Sequence, residues 1–339
     1  MLSQPISVTF DIGGGRMVSI ETGKLARQAD GAVTVRQGNC IILATVVANK
    51  DPKEGQDFFP LSVDYQEKFA SAGRIPGSFF KREARLNDYE ILTSRLIDRA
   101  LRPLFPEDYL CEVQVLVTLV SSDYEVMPDA LACLAASAAL AVSDIPIKEI
   151  ISEVRIGRLD GKLIVNPSRT ELETTDMEFI IAATDKNLMM VEGKAAECGE
   201  EDLVKALEIA HDAIRIQIKA QEELRAKAGV TGKRDYKKPE HNEELQQKVI
   251  AFAKDKVYEI SKSASSKHVR SDAYSLLKDE LIAGVLGEEP TDADKKFVKK
   301  YYEDLKWEVV RNMIVDDRTR LDGRNLDQVR PLAMEIYIQ

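Results

Sequence analysis

Three histidines and four cysteines in 339 residues leave little room for metal or redox chemistry. Cys40, Cys111, Cys133 and Cys198 stand far apart with no C-x-x-C pair, which excludes a zinc ribbon and a thioredoxin-type motif. They read as buried, reduced thiols of a cytoplasmic protein. His211, His241 and His268 lack metal-ligand spacing. The longest apolar run, Ala130 to Val142, lies between Asp129 and Asp144 and falls far short of the roughly 20 residues a membrane span needs. The opening Met1-Leu2-Ser3-Gln4-Pro5 has no basic stretch followed by an apolar run, so no secretory leader is expected. Also missing are G-x-x-x-x-G-K, G-x-G-x-x-G after a strand, H-E-x-x-H and a nucleophile elbow.

An apolar share of 44% and a charged share of 31% are those of an ordinary globular protein. The length exceeds one typical core, so two folded units plus a remnant are expected. Lysine and arginine number 47 against 57 acidic residues, a net charge of −10 that by itself argues against a polyanion partner. The distribution argues otherwise. Residues 68–102 carry eight basic side chains (Lys68, Arg74, Lys81, Arg82, Arg85, Arg95, Arg99, Arg102) and four acidic ones, so that window is +4 and the rest of the chain −14.

Period-two alternation predicts strands at Ile6 to Phe10, Met17 to Glu21, Val33 to Arg36, Cys40 to Ala48 and Leu61 to Tyr65, read together as an antiparallel meander. Gly13-Gly14-Gly15 reads as a hairpin turn rather than a phosphate cradle. Residues 67–87 form a long loop holding Gly73, Pro76 and Gly77. A helix then runs from Asp88, taken as its N-cap, to about Leu101. A strand at Val113 to Val120 and a small-residue helix at Pro128 to Val142, packed close on a sheet, close the first half. Two hairpins follow, Val154 to Leu159 with Lys162 to Val165, and Phe179 to Ala183 with Leu188 to Val191. A long helix from about Glu200 to Ala228 buries Leu203, Leu207, Ala210, Ile214 and Ile218. Residues 229–240 read as a linker. From His241 to about Val315 the pattern is helical, with breaks near Ser261-Lys262-Ser263 and Gly287 to Pro290. Met334 to Ile338 returns to strand-like alternation with no partner left. The fold class is α+β followed by an all-α segment.

The informative stretch is Gly77-Ser78-Phe79-Phe80-Lys81-Arg82-Glu83-Ala84-Arg85. Adjacent aromatics that stack on unpaired bases, followed by basic side chains that hold phosphates, are what single-stranded RNA requires. The competing reading makes Phe79 and Phe80 core plugs and the charges a solvated face, although two consecutive residues cannot share one strand face. Arg95, Arg99 and Arg102 lie on one helical face as possible phosphate contacts, or are spent on ion pairs with Asp98, three residues after Arg95 and four before Arg102.

Gly55-Gln56-Asp57-Phe58-Phe59-Pro60-Leu61, Ala72 to Glu83, and Ser94-Arg95-Leu96-Ile97-Asp98-Arg99 with Leu101-Arg102-Pro103-Leu104-Phe105-Pro106 resemble the first core of the polynucleotide phosphorylase family. The likeness covers the whole chain, down to the R-x-D-G-R opening of a second core at Arg320 to Arg324. It implies a ribonuclease-PH-like β-α-β core over 1–145 and 146–232, an all-helical domain over 233–318, and the start of a second core over 319–339. It also implies a homotrimeric ring that degrades single-stranded RNA from its 3′ end by phosphorolysis, with magnesium at the centre and RNA-degradation proteins as further partners. Phe79, Phe80, Lys81 and Arg82 fall on the family's RNA-gripping pore loop. Lys81 stands where relatives often carry arginine, keeping charge but not the planar fork.

This first core departs from the family's active pattern. The phosphate loop is replaced by Ser121-Ser122-Asp123-Tyr124-Glu125-Val126, whose two carboxylates would repel phosphate. Of the two metal-binding aspartates that active copies place six residues apart, Asp176 is present as a vestige and its partner position is Thr170, a poor magnesium pair. Arg85 matches a phosphate-contacting arginine and, without its companions, reads as an RNA contact. The expectation is therefore a non-catalytic half that grips RNA and forms the ring, with no cofactor of its own; a pure assembly scaffold is the alternative.

Overall fold

The computed structural model describes residues 4–77, 85–286 and 291–336. It separates into two units, Met1–Pro239 and Glu240–Gln339.

Alternation in the first unit builds β1 (Ile6–Asp11), β2 (Met17–Thr22), β3 (Gly31–Gln37) and β4 (Cys40–Ala48), an antiparallel series. The glycine triplet is the β1–β2 turn: Gly13, Gly14 and Gly15 all have positive φ. The Asp11 carboxylate accepts the N–H of Gly13 at 2.8 Å and of Gly15 at 3.1 Å, so those amides are already occupied.

The meander ends there. β5 (Leu61–Glu67) lies beyond β6 (Val113–Ser121), giving the order β1-β2-β3-β4-β6-β5, and it pairs parallel to β6 with Tyr65 opposite Val117. The reason is the helix between them: a β-α-β crossover delivers the next strand parallel. Alternation reports faces, not partners.

That helix, α1 (Asp88–Leu101), starts on the residue expected to cap it, and its cap lies one residue earlier. Asn87 caps it, taking the Glu90 N–H while Glu90 returns a carboxylate to the Asn87 N–H, a capping box. α2 (Pro128–Val142) is buried from Pro128 to Ala141. Its small side chains let it press on β3 so closely that a Cβ at Gly31 would meet the Ala139 carbonyl.

A second, all-antiparallel sheet runs β10-β9-β7-β8. It comprises β7 (Ser152–Leu159), β8 (Lys162–Val165), β9 (Met177–Ala183) and β10 (Leu188–Ala195), with a four-residue helix α3 (Arg169–Leu172) between β8 and β9. Asp160 and Gly161, both at positive φ, make the tight β7–β8 turn. α4 (Glu200–Lys227) packs on β7 through Ala206, Ala210, Ile214 and Ile218, in one cluster with Val154 and Ile156.

Residues 233–239 are not a free linker. Lys233 Nζ donates to the carbonyls of Leu140 (2.8 Å) and Ser143 (2.9 Å) at the end of α2. Arg234 reaches Asp144 and Asp30, and the Tyr236 hydroxyl donates to Asp108 at 2.5 Å while its ring meets Tyr109 edge-on. A polar composition looks the same whether its donors meet water or carbonyls.

The second unit is α5 (Glu243–Lys262), α6 (Lys267–Val285) and α7 (Asp292–Asp317), around Val249, Ala253, Leu281, Val298, Tyr302 and Leu305. After α7 the segment Arg320–Arg324 folds into a turn closed by Arg320 N–H to the Arg324 carbonyl at 2.8 Å. Residues 334–336 are irregular and exposed instead of strand-like, with no strand paired to them among the described residues; the rest of the expected strand lies outside the described residues.

Candidate functional site

Phe79, Phe80, Lys81 and Arg82 lie outside the described residues. Their frame is described. A 3-10 turn at Phe69–Ala72 ends on Gly73 in the left-handed region. Arg74 and Ile75 before the segment and Arg85 after it are exposed. The α1 capping box then fixes where the chain enters its helix.

The three arginines of α1 separate in role. Arg102 is spent on structure: it forks onto Asp98 at 2.8 and 2.6 Å, donates to the carbonyls of Phe59 (3.2 Å) and Leu61 (3.1 Å), and lies 5.9 Å from the Phe59 ring centre. Arg99 pairs with Glu192 at 2.7 Å, both more than half exposed, a contact worth at most about 1 kcal/mol. Arg95 is exposed and has no ion pair among the described residues. Asp98 therefore chooses the i+4 partner.

The two places where the sequence departs from the active pattern face one another. Glu125 accepts from the Thr170 hydroxyl at 2.9 Å and its N–H at 3.3 Å. The Arg169 N–H donates to the Glu125 carbonyl at 2.9 Å, and its guanidinium to the Tyr124 carbonyl at 3.0 Å. Asp123 takes the N–H groups of Asn39 and Glu125. Asp123 and Glu125 border a cleft of about 760 Å³ that also reaches the glycine turn, Arg155 and Glu171. Its lining sets the carboxylates of Asp123, Glu125 and Glu171 against Arg16 and an Arg155 already paired with Asp129 and Glu178, a balance of the wrong sign for phosphate.

Asp176 is held by both Nε (2.8 Å) and Nη2 (2.9 Å) of Arg158, whose Nη1 goes to Asp202 at 2.6 Å. The Arg158 hydrogen bonds keep its carboxyl below the usual range. With Asp176 neutralised and Thr170 bound to Glu125, the residues here do not fit magnesium.

Beneath the cleft lies a cluster that sequence reading missed. Arg155 is buried between Asp129 of α2 and Glu178 of β9, with its Nε left without a partner. One turn along α2 from Asp129, the Cys133 thiol lies beside Glu153 of β7, which is fully buried. Burial first, and the Asp129 carboxylate second, push it well above the carboxylate range. The signal was faint: Glu153 and Arg155 alternate with Val154 and Ile156 like a solvent face, yet that face meets α2.

Two sheets sharing a small-residue helix, with the loop after β6 set against the β8–β9 connection, define a protein of the RNase PH class. Residues 14–146 match the model "3' exoribonuclease family, domain 1" and residues 149–213 the model for domain 2. Rice Rrp46 has the same fold, with a TM-score of 0.51 and 17% identity over 65% of this chain and 98% of that one. The chain belongs to the 3′ exoribonuclease family, and within it to the stretch shared with polyribonucleotide nucleotidyltransferases. Residues 244–325 match "Polyribonucleotide nucleotidyltransferase, RNA binding domain". The proteins of that name from Parabacteroides distasonis and Bacteroides fragilis are each 50% identical over 98% of this chain, which covers 44% and 47% of them respectively. The chain thus spans about half the length of the curated relatives it matches.

Proposed function

We propose that this chain is the RNA-holding front half of a polyribonucleotide nucleotidyltransferase. That enzyme is read as shortening single-stranded RNA from the 3′ end by phosphate attack, releasing nucleoside diphosphates in messenger RNA decay. The attacking phosphate and magnesium are assigned to sequence beyond this chain, in a homotrimeric ring of which this half forms part. Four free thiols suit a reducing compartment such as the cytoplasm.

The observation that carries the reading is the contrast between two neighbourhoods. Where an active copy would bind phosphate, Glu125 is tied to Thr170 and Asp176 to Arg158. On either side of Phe79 to Arg82, Arg74 and Arg85 stand exposed, and Arg95 has no counter-ion among the described residues. The first neighbourhood repels a phosphate; the second attracts a chain of them.

The test uses the purified chain with a labelled single-stranded RNA of about a dozen nucleotides. Binding without phosphate-dependent nucleoside diphosphate release is expected, and release would overturn the non-catalytic reading. Phe79→Ala with Phe80→Ala is expected to cost about 1–3 kcal/mol per lost stack. Unchanged affinity in the folded double variant would favour the scaffold, a reading supported by Arg102 and Arg99 already having partners.

A further inference from the structure

The chain has one tryptophan, and it is not in the core. Trp307 on α7 is 66% exposed. Its helix buries Val298, Tyr301, Tyr302, Leu305, Val309 and Met313, and at about 3.6 residues per turn Trp307 falls on the opposite face. Lys296, Lys300 and Arg311, at offsets of −11, −7 and +4, share that outward face, and Lys299 lies at its edge. The Arg311 guanidinium sits 5.6 Å from the Trp307 ring centre. None of these four cations has an ion-pair partner among the described residues. Two acids, Glu303 and Asp304, share this outward face: Glu303 is held by Lys306 and by Lys278 at 3.8 Å, Asp304 stands beside Arg311, and Glu308 lies on the flank.

An exposed indole costs free energy in water and does nothing for the three-helix core. With a guanidinium over one part of it and the four cations, Lys296 to Arg311, spread along about 22 Å of helix, it makes a stacking platform beside a cationic track. Unpaired bases and a phosphate backbone need that pairing of features. We propose that the outward face of α7, centred on Trp307 and flanked by Lys296, Lys299, Lys300 and Arg311, is a binding site for single-stranded RNA, with one base stacked on the indole. The proposal rests on the reading that the chain holds RNA, and it adds a second contact distinct from Phe79 to Arg82. A protein partner would be the other natural occupant of an exposed tryptophan, but an unpaired cationic rim complements a polyanion.

Because Trp307 is the only tryptophan, its emission reports this face alone. The full chain is titrated with unlabelled oligouridine of about twelve nucleotides while tryptophan emission is followed, and affinity is measured in parallel by anisotropy of a labelled copy. Emission is expected to change with the midpoint of binding, and a duplex of equal length is expected to leave it unmoved. Trp307→Ala should weaken binding about tenfold and Trp307→Phe less, and the emission change should persist when Phe79 and Phe80 are both alanine. Binding with unmoved emission, or undiminished affinity in Trp307→Ala, overturns the proposal, leaves the RNA-holding reading standing and assigns the face to a protein. Loss of the emission change in the double phenylalanine variant overturns it as a separate contact. No binding by the wild-type chain overturns both readings. Should Trp307→Ala fail to fold, the wild-type emission and Trp307→Phe decide.

Discussion

Glu153 shows what a single residue can hide. Held fully buried, it enters the fold as the neutral acid, whereas the unfolded chain ionises it above its ordinary value of 4.5. Above that pH the native state keeps a proton that the unfolded state has released, so this residue's contribution falls as pH rises. Glu153→Gln removes the proton question and nearly keeps the shape. We expect it to match wild type near pH 4 and to exceed it by about 1–3 kcal/mol at pH 7 to 8, as read by thermal unfolding across that range. A difference independent of pH would mean that Glu153 is ionised in the fold. Nothing in its spacing announced this. The acidic loop residues Asp123 and Glu125 were legible as a departure from the family's phosphate-binding pattern, because charge sign can be read from a sequence. The Asp129–Arg155–Glu178 cluster was not, because burial of a strand's polar face is decided by a helix elsewhere in the chain.

Elements were read better than their neighbours. The α2, β4 and β8 spans coincide with the expected ones, since alternation and small-residue runs are local properties. The position of β5 was not local: it depends on the crossover through α1. The strap at 233–239 was hidden for a similar reason. Its donors are as polar as any linker's, but Arg234 is only 14% exposed and clamps Asp30 at 3.0 Å together with Asp144. Arg234→Ala leaves both carboxylates without that partner. We expect a loss of about 2 kcal/mol and faster tryptic cleavage after Lys237, followed by gel over time. Cleavage at the wild-type rate would return these residues to the status of a spacer.

At the scale of the molecule, charge segregation outweighs charge total. A net −10 with a +4 window predicts binding that is weak in the far field and steep in salt. For single strands the logarithm of affinity falls by about 0.7 per neutralised phosphate for each logarithmic unit of salt. Arg95→Ala should lower that slope by about this amount at little cost in stability. Arg102→Ala should lower the melting temperature and leave the slope alone. Reversed results would exchange their roles. The strap also sets an order of events during synthesis. Asp144 waits 90 residues, and the carbonyl of Ala48 waits 186, for Arg234. Until the ribosome has made and released that arginine, the last turn of α2 has no Lys233 over its carbonyls. The first unit therefore completes itself late, just as the helices of the second begin to emerge.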